Sequence, residues 1–192
     1  MGLAAAKKLA SEGMHLCLVH RDRKVGVQQL QKEITAMKSY GIKVCHFNVD
    51  ALRPEKRQEV IEQLKANMAP GESVKLLLHA IARGNLKPLA PHKSITEQLD
   101  TTSLLAKELD EIYEAQQSLL QNSDFVATLE AMALSLYDWV HDIFQQRLFA
   151  ADSRVIGLTS EGGSKAWKTY GAVSVAKAAL EALVRSIALE FA

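Results

Sequence analysis

The sequence holds no apolar run near the roughly 18 residues that a membrane-crossing helix needs. Its first residues carry Lys7, Lys8 and Glu12 inside a helical pattern and lack the long apolar core of a signal peptide. No charge of one sign dominates. There are 23 basic and 22 acidic residues, for a formal net charge of +1. That balance gives no electrostatic case for binding nucleic acid or an anionic membrane. Cysteine is scarce: Cys17 and Cys45 are the two present, without a CxxC pair, and the six histidines are scattered. A metal site is therefore not expected. Each cysteine sits in an apolar, strand-like run and reads as a buried, reduced thiol of a cytosolic protein, with a metal or redox role as the alternative. Internal repeats and low-complexity linkers are also missing.

What is there suffices for one domain with a core: 192 residues, 48% of them apolar. Residues 1–13, MGLAAAKKLASEG, read as a helix with Leu3, Ala6, Leu9 and Ala10 on its apolar side and Gly13 as its stop. Residues 14–20 read as a strand, continuously apolar from Leu16 to Val19 as in a parallel sheet. A second helix runs to about Tyr40 and ends at Gly41, and Ile42 to Val49 make a second strand. Pro54 opens a polar helix that closes near Pro70 and Gly71, and Val74 to Leu78 form a third strand. The alternation of strand and helix predicts a doubly wound parallel sheet in three layers. Further on, Leu105, Leu109, Ile112, Gln116 and Leu119 form a helical stripe, and residues 125–149 a long apolar helix. Val155 to Leu158 read as a buried strand, followed by a loop with Gly162 and Gly163 and a helix from about Tyr170.

The head of that last helix carries the chemistry. Tyr170 and Lys177 stand seven residues apart, two helical turns, which places them on one side. A Tyr hydroxyl beside an ammonium suits proton transfer, because the cation favours the phenolate. Such a pair is common on helices, and the context is what raises it. It follows a strand and a glycine loop, where α/β folds place their sites, and Ser160 adds a second hydroxyl just past the strand.

This segment resembles the active-site segment of the short-chain dehydrogenase/reductase family. That family usually spaces its Tyr and Lys four apart. The spacing Tyr170-Gly-Ala-Val-Ser-Val-Ala-Lys177 resembles instead the divergent branch, the enoyl-[acyl-carrier-protein] reductases, and the following AKAALEALVRSIALEFA is similar to the family's next helix. The resemblance implies a Rossmann-like fold and catalytic roles for Tyr170, Lys177 and Ser160. It also implies an NADPH or NADH cofactor, an acyl thioester substrate on acyl carrier protein or coenzyme A, and a homodimer or homotetramer. In related proteins such strands present the cofactor site at their carboxyl ends. Arg21 there could pair with a ribose 2′-phosphate, leaning the choice to NADPH, and a solvated charge run is the equal alternative. Asn48-Val49 resembles the family's Asp-Val pair beside the adenine, with the charge lost. His79-Ala80-Ile81-Ala82 resembles the His-Ser-Ile-Gly or His-Ser-Ile-Ala segment of enoyl reductases. Alone, His79 reads as structural; with the resemblance, His79, Ala80 and Ile81 line the cofactor, and Tyr170 and Lys177 touch it as well. Ser135 falls where relatives often carry a polar active-site residue, yet a serine tolerated in a helix is the stronger reading.

The chain departs from the family in four respects. It begins at the last glycine of the phosphate-binding turn, Gly2, which the resemblance counts among the cofactor-binding residues. The family's first and last strands are missing, so residues 1–192 are expected to form a single partial dinucleotide-binding domain truncated at both ends. The interval between His79 and Ser135 is longer than usual, which implies a helical insertion at about 94–122. Ser160 stands where enoyl reductases carry a second Tyr, ten residues before Tyr170, whereas classical members carry a catalytic Ser three residues further upstream. The expected function is NAD(P)H-dependent reduction of the C=C bond of a trans-2-enoyl thioester in fatty acid synthesis, in the cytoplasm. The alternatives are a short-chain reductase of a ketone or 3-ketoacyl thioester, and a non-catalytic oligomerising fragment.

Overall fold

The structure, a computed structural model, describes residues 1–90, 103–105, 107, 108, 111 and 118–191. These divide into two compact units, Met1–Ala80 with Ser135–Leu158 and Ile81–Leu134 with Thr159–Ala192. The insertion expected at about 94–122, with its stripe, lies for most of its length outside the described residues.

In the first unit, helix α1 (Gly2–Ser11) is rich in alanine, the strongest helix former, and Gly13 ends it at φ 84°. Strand β1 (Leu16–His20), helix α2 (Lys24–Lys38), strand β2 (Val44–Asn48) and helix α3 (Pro54–Asn67) follow. Gly41, at φ 77°, turns the chain between α2 and β2, and proline fills the first turn of α3, where no amide donor is needed. β1 and β2 pair in parallel, from Leu16 opposite Val44 to His20 opposite Asn48.

Side chains alternate across this pair, as the pleat requires. Leu16, Leu18 and Val44 pack with Ala6, Ala10, Ile34 and Met37 of α1 and α2. Cys17, Val19 and Phe47 turn the other way, to Val60 and Ile61 of α3 and to Trp139 and Ile143 of helix α5 (Ser135–Gln145). Helices therefore cover both faces, which is the three-layer arrangement. The buried Arg57 of α3 donates to Asp142 of α5 and ties two of these helices together. Both cysteines are half-buried free thiols rather than fully buried ones.

Strand β3 (Val74–His79) pairs in parallel with strand β4 (Phe149–Gly157). This is the α/β, Rossmann-like architecture that the sequence predicts. Among the described residues, β1 pairs only with β2 and β3 only with β4, giving two two-stranded sheets.

Two sequence expectations need correction here. The helix expected at 125–149 stops at Gln145, because Arg147 at φ 54° reverses the chain and Phe149 already belongs to β4. Apolar residues on both sides of that turn mask the boundary. β4 starts earlier than the expected Val155 and accommodates extra length in a bulge, since Val74 faces Phe149 while Leu76 faces Arg154. Nor is it a buried strand: Ile156 is 44% exposed, as fits a strand with one hydrogen-bonded neighbour.

In the second unit, helix α4 (Asn122–Leu129) leads into a π-helical turn, Glu130–Leu134. Asp124 caps α4 by accepting from the Gln121 amide at 2.9 Å and receives the Lys87 ammonium at 2.8 Å. Ala131, Met132 and Ala133 of the turn are buried, as are Ala172, Val173, Ala176, Leu180 and Ile187 of helix α6 (Gly171–Glu190). Gly84 lies between these elements. A Cβ there would meet Val173 at 2.8 Å and Thr128 and Met132 at 3.0 Å.

Candidate active site

The second unit holds the predicted catalytic trio. Past Leu158 the chain passes through Thr159 and Ser160 into a 3₁₀ turn, Glu161–Gly163, and on to α6. Ser160 Oγ and Tyr170 OH share a hydrogen bond of 3.3 Å. Tyr170 is not inside the helix. It is the residue that caps it, at φ −100° and ψ 6°, and its carbonyl accepts from the Ser174 amide at 2.8 Å. Helical periodicity therefore does not aim its phenol, and the surrounding loop does. The ring lies against Gly162 so closely that a Cβ there would stand 2.1 Å from Cε1, and the Trp167 ring flanks it at 5.4 Å between centroids. Glycine is needed at 162 for this approach.

Lys177 lies two turns into α6 and is only 5% exposed. Burial pushes its ammonium below the ordinary lysine value, because a desolvated cation is disfavoured. Its neighbour one turn on, Glu181, accepts from Thr159 Oγ1, so α6 grips the loop one residue before Ser160. A Cβ on Gly163 would meet Glu181 at 3.0 Å and Lys177 Cβ at 3.5 Å. The result is a half-buried pair of linked hydroxyls on a glycine loop, ahead of a helix that carries a buried amine. Such hydroxyls can donate to an oxygen on which negative charge collects.

The first unit holds most of the residues assigned to the cofactor, at or near the carboxyl ends of its strands. Arg21 follows β1, is 64% exposed and holds Asp50 at 2.8 Å. Asn48 ends β2, and its amide is fully engaged with the backbone of Asp22, accepting at 2.9 Å and donating at 3.0 Å. The Val49 amide donates to the His20 carbonyl at 2.9 Å. At the start of α1, Gly2 lies against Ala80, where a Cβ would meet Ala80 Cβ at 3.1 Å. His79 is buried, and its Nε2 meets Ser135 Oγ at 2.7 Å. Ile81 begins the second unit and is half-buried.

Two features escape the sequence reading. Ser135, taken above as a tolerated helix serine, is 1% exposed and is a partner of His79. It is the one hydroxyl among the buried residues of α5, and that was the available signal. The second is a histidine pair. His20 Nε2 meets His46 Nδ1 at 3.3 Å, while Asp22 lies 2.8 Å from His20 Nδ1. Strand register makes His46 the neighbour of Leu18, which no local pattern reveals.

The model of the family described as enoyl-(acyl carrier protein) reductase matches residues 106–192. No curated protein matches the chain. Among solved structures, a short-chain dehydrogenase/reductase from Serratia marcescens superposes with a TM-score of 0.73 at 17% identity, over 98% of this chain and 63% of its own. An alcohol dehydrogenase from the archaeon Thermococcus sibiricus, complexed with 5-hydroxy-NADP, gives 0.69 at 19% identity, covering 97% and 65%. An enoyl-(acyl-carrier-protein) reductase from Anaplasma phagocytophilum in complex with NAD gives 0.64 at 18%, covering 96% and 58%. The chain thus spans under two thirds of the length of each. At these identities the structural likeness establishes the fold alone; the family model matches only the C-terminal segment, which holds Ser160, Tyr170 and Lys177. The C-terminal segment, residues 106–192, is thus similar to the enoyl-(acyl carrier protein) reductase family, and the chain shares its fold with solved short-chain dehydrogenases/reductases.

Proposed function

We propose that this chain serves NAD(P)H-dependent reduction of the C=C bond of a trans-2-enoyl thioester, as part of a dinucleotide-binding reductase domain. The observation that carries the reading is the Ser160–Tyr170 hydrogen bond in a unit that also buries Lys177. Tyr170 donates a hydrogen bond or proton to the thioester oxygen as enolate charge develops there. Ser160 positions the carbonyl. Lys177, a cation held out of water, biases Tyr170 electrostatically and holds ribose hydroxyls.

The residues present fit a dinucleotide in part. The close approach of Gly2 to Ala80 leaves no side chain at the start of α1, where a helix favours phosphate. Arg21, Asn48, Val49, His79, Ala80 and Ile81 would hold the adenosine and nicotinamide portions. Arg21 leans the choice to NADPH, but a 2′-phosphate would have to draw the guanidinium away from Asp50. When bound, the nicotinamide supplies the hydride; the protein supplies orientation and charge stabilisation.

A second reading, reduction of a ketone or 3-ketoacyl thioester, is favoured by Ser160 itself. A serine hydroxyl linked to the tyrosine suits a carbonyl oxygen as well as an enolate. NADPH and NADH oxidation with crotonyl thioester and with acetoacetyl thioester separates the two. Turnover with the crotonyl substrate supports the first reading, and turnover with acetoacetyl alone replaces it with the second. If neither is turned over and fluorescence titration finds no NADPH or NADH binding, both are excluded for this polypeptide, and a non-catalytic, oligomerising role takes their place.

A further inference from the structure

The two cysteines play no part in the site above, yet β1 and β2 bring them face to face. They lie 28 positions apart in sequence and are direct register partners of the parallel pair. Neighbouring strands run about 4.8 Å apart, inside the Cα separation of roughly 4.4–6.8 Å that a disulfide spans. As direct partners of a parallel pair, both side chains project from the same face, and each is half-buried rather than sealed in the core. Cys45 Sγ donates to the Leu16 carbonyl, one residue before Cys17 on the neighbouring strand, at 3.4 Å.

We propose that Cys17 and Cys45 form a cross-strand dithiol site that reacts with low-molecular-weight disulfides and closes to a Cys17–Cys45 disulfide. The neighbouring Cys17 thiol holds the Cys45 thiol below an ordinary cysteine, which makes Cys45 the attacking sulfur. The same pairing, followed by burial, raises Cys17. In the first step the Cys45 thiolate attacks one sulfur of the small disulfide. A Cys45–S bond forms, the small S–S bond breaks and one thiolate leaves. Once Cys45 is capped, its charge no longer raises Cys17. Cys17 gives its proton to solvent and attacks Cys45 sulfur, and the second small thiolate leaves. The protein loses two protons and two electrons, and the small disulfide is reduced to two thiols. The new bond joins the two strands three register steps before His20 and Asn48, beyond which Arg21 and Val49 follow.

The test is intact-mass spectrometry of the whole folded chain after equilibration with oxidised glutathione, followed by alkylation. The wild type is expected to lose the mass of two hydrogens and to take up no alkylating reagent, and non-reducing digestion should link the Cys17 and Cys45 peptides. Cys17→Ser should stop at a single glutathione adduct on Cys45, with its circular dichroism unchanged. The urea-unfolded wild type serves as the control for bond formation without a fold. If the folded wild type keeps two alkylatable thiols, or carries two glutathiones, while the unfolded chain cyclises, the proposal is overturned. Closure no faster in the folded chain than in urea overturns it equally, because the fold would then contribute nothing to the encounter.

Discussion

The two candidate regions are prepared in opposite ways. At the ends of β1 and β2, exposed and half-buried polar groups meet one another: Arg21 with Asp50, Asn48 with the Asp22 backbone, His20 with Asp22 and His46. Around Ser160, shape does the holding. Tyr170 is wedged on Gly162, Thr159 is tied to Glu181, and Lys177 is buried in the helix that follows. Exposed ion pairs contribute little and are screened by salt. Close packing is unforgiving of added volume. The first region can therefore rearrange around a ligand at small cost, while the second holds its hydroxyls in one place beforehand, as catalytic groups require.

The sharpest way to break this contrast is to add one methyl group. Tyr170→Phe should lower turnover by about 10²–10⁴, the usual size of a general-acid contribution. Gly162→Ala leaves every polar atom in place but sets a Cβ where Tyr170 Cε1 now lies. We expect it to reduce turnover by about 10², the cost of displacing a reacting group by roughly 1 Å. Dinucleotide affinity, measured by fluorescence titration, should change little in either variant. Turnover at the wild-type rate in Gly162→Ala would show that packing does not position the phenol.

The next effect is on stability. Ser135→Ala removes the 2.7 Å partner of a buried imidazole. The expected loss is about 1–3 kcal/mol, the cost of taking one partner from a buried hydrogen bond. A lower urea midpoint with an unchanged slope is the signature of such a loss. An unchanged midpoint would mean that the His79–Ser135 bond contributes nothing to the fold.

How much of this could be read in advance divides along the same line. The parallel strands were legible because LCLV is a continuous apolar run and VKLLL is one broken only by Lys75, as suits strands covered on both faces. Tyr170, Lys177 and Ser160 could be named as candidates from residue type together with a family resemblance. The reason the Ser160 and Tyr170 hydroxyls meet was not legible. Helix periodicity explains Lys177, but Tyr170 stands outside the helix, and Gly162 reads in sequence only as a loop glycine. The end of α5 was missed because Leu148 and Phe149 suit a buried helix and a buried strand equally. Ser135 with His79, and His20 with His46, are meetings between distant segments, which only tertiary packing creates.

Lys177 gives a pH test of the packed region. Its folded pKa lies below the ordinary value of 10.5 through burial, so above that lowered value the unfolded chain binds the proton more strongly. Stability contributed by this residue must then rise with pH up to about 10.5, where both states become neutral. Lys177→Met, which has no charge to desolvate, should lack this rise. Urea midpoints at pH 7 and pH 10 should therefore move in favour of the wild type relative to the variant as pH increases. Parallel shifts in the two proteins would mean that burial of this amine carries no penalty.

The smallest effect tests the adaptable region, and it bears on the cofactor. Arg21 is mostly exposed and Asp50 holds it across a gap between two strand ends, so the pair contributes at most about 1 kcal/mol to the fold. Asp50→Asn should leave the urea midpoint nearly unchanged. It frees the guanidinium and removes a carboxylate that would face an incoming phosphate. If Arg21 meets a ribose 2′-phosphate, NADPH affinity should rise a few-fold, within the roughly tenfold that 1.4 kcal/mol allows, while NADH affinity stays constant. The gain should shrink as salt is added, because both groups lie near solvent. A rise shared equally by NADPH and NADH would place the effect elsewhere than the 2′-phosphate, and the Arg21–Asp50 pair would then be surface charge without a role in cofactor choice.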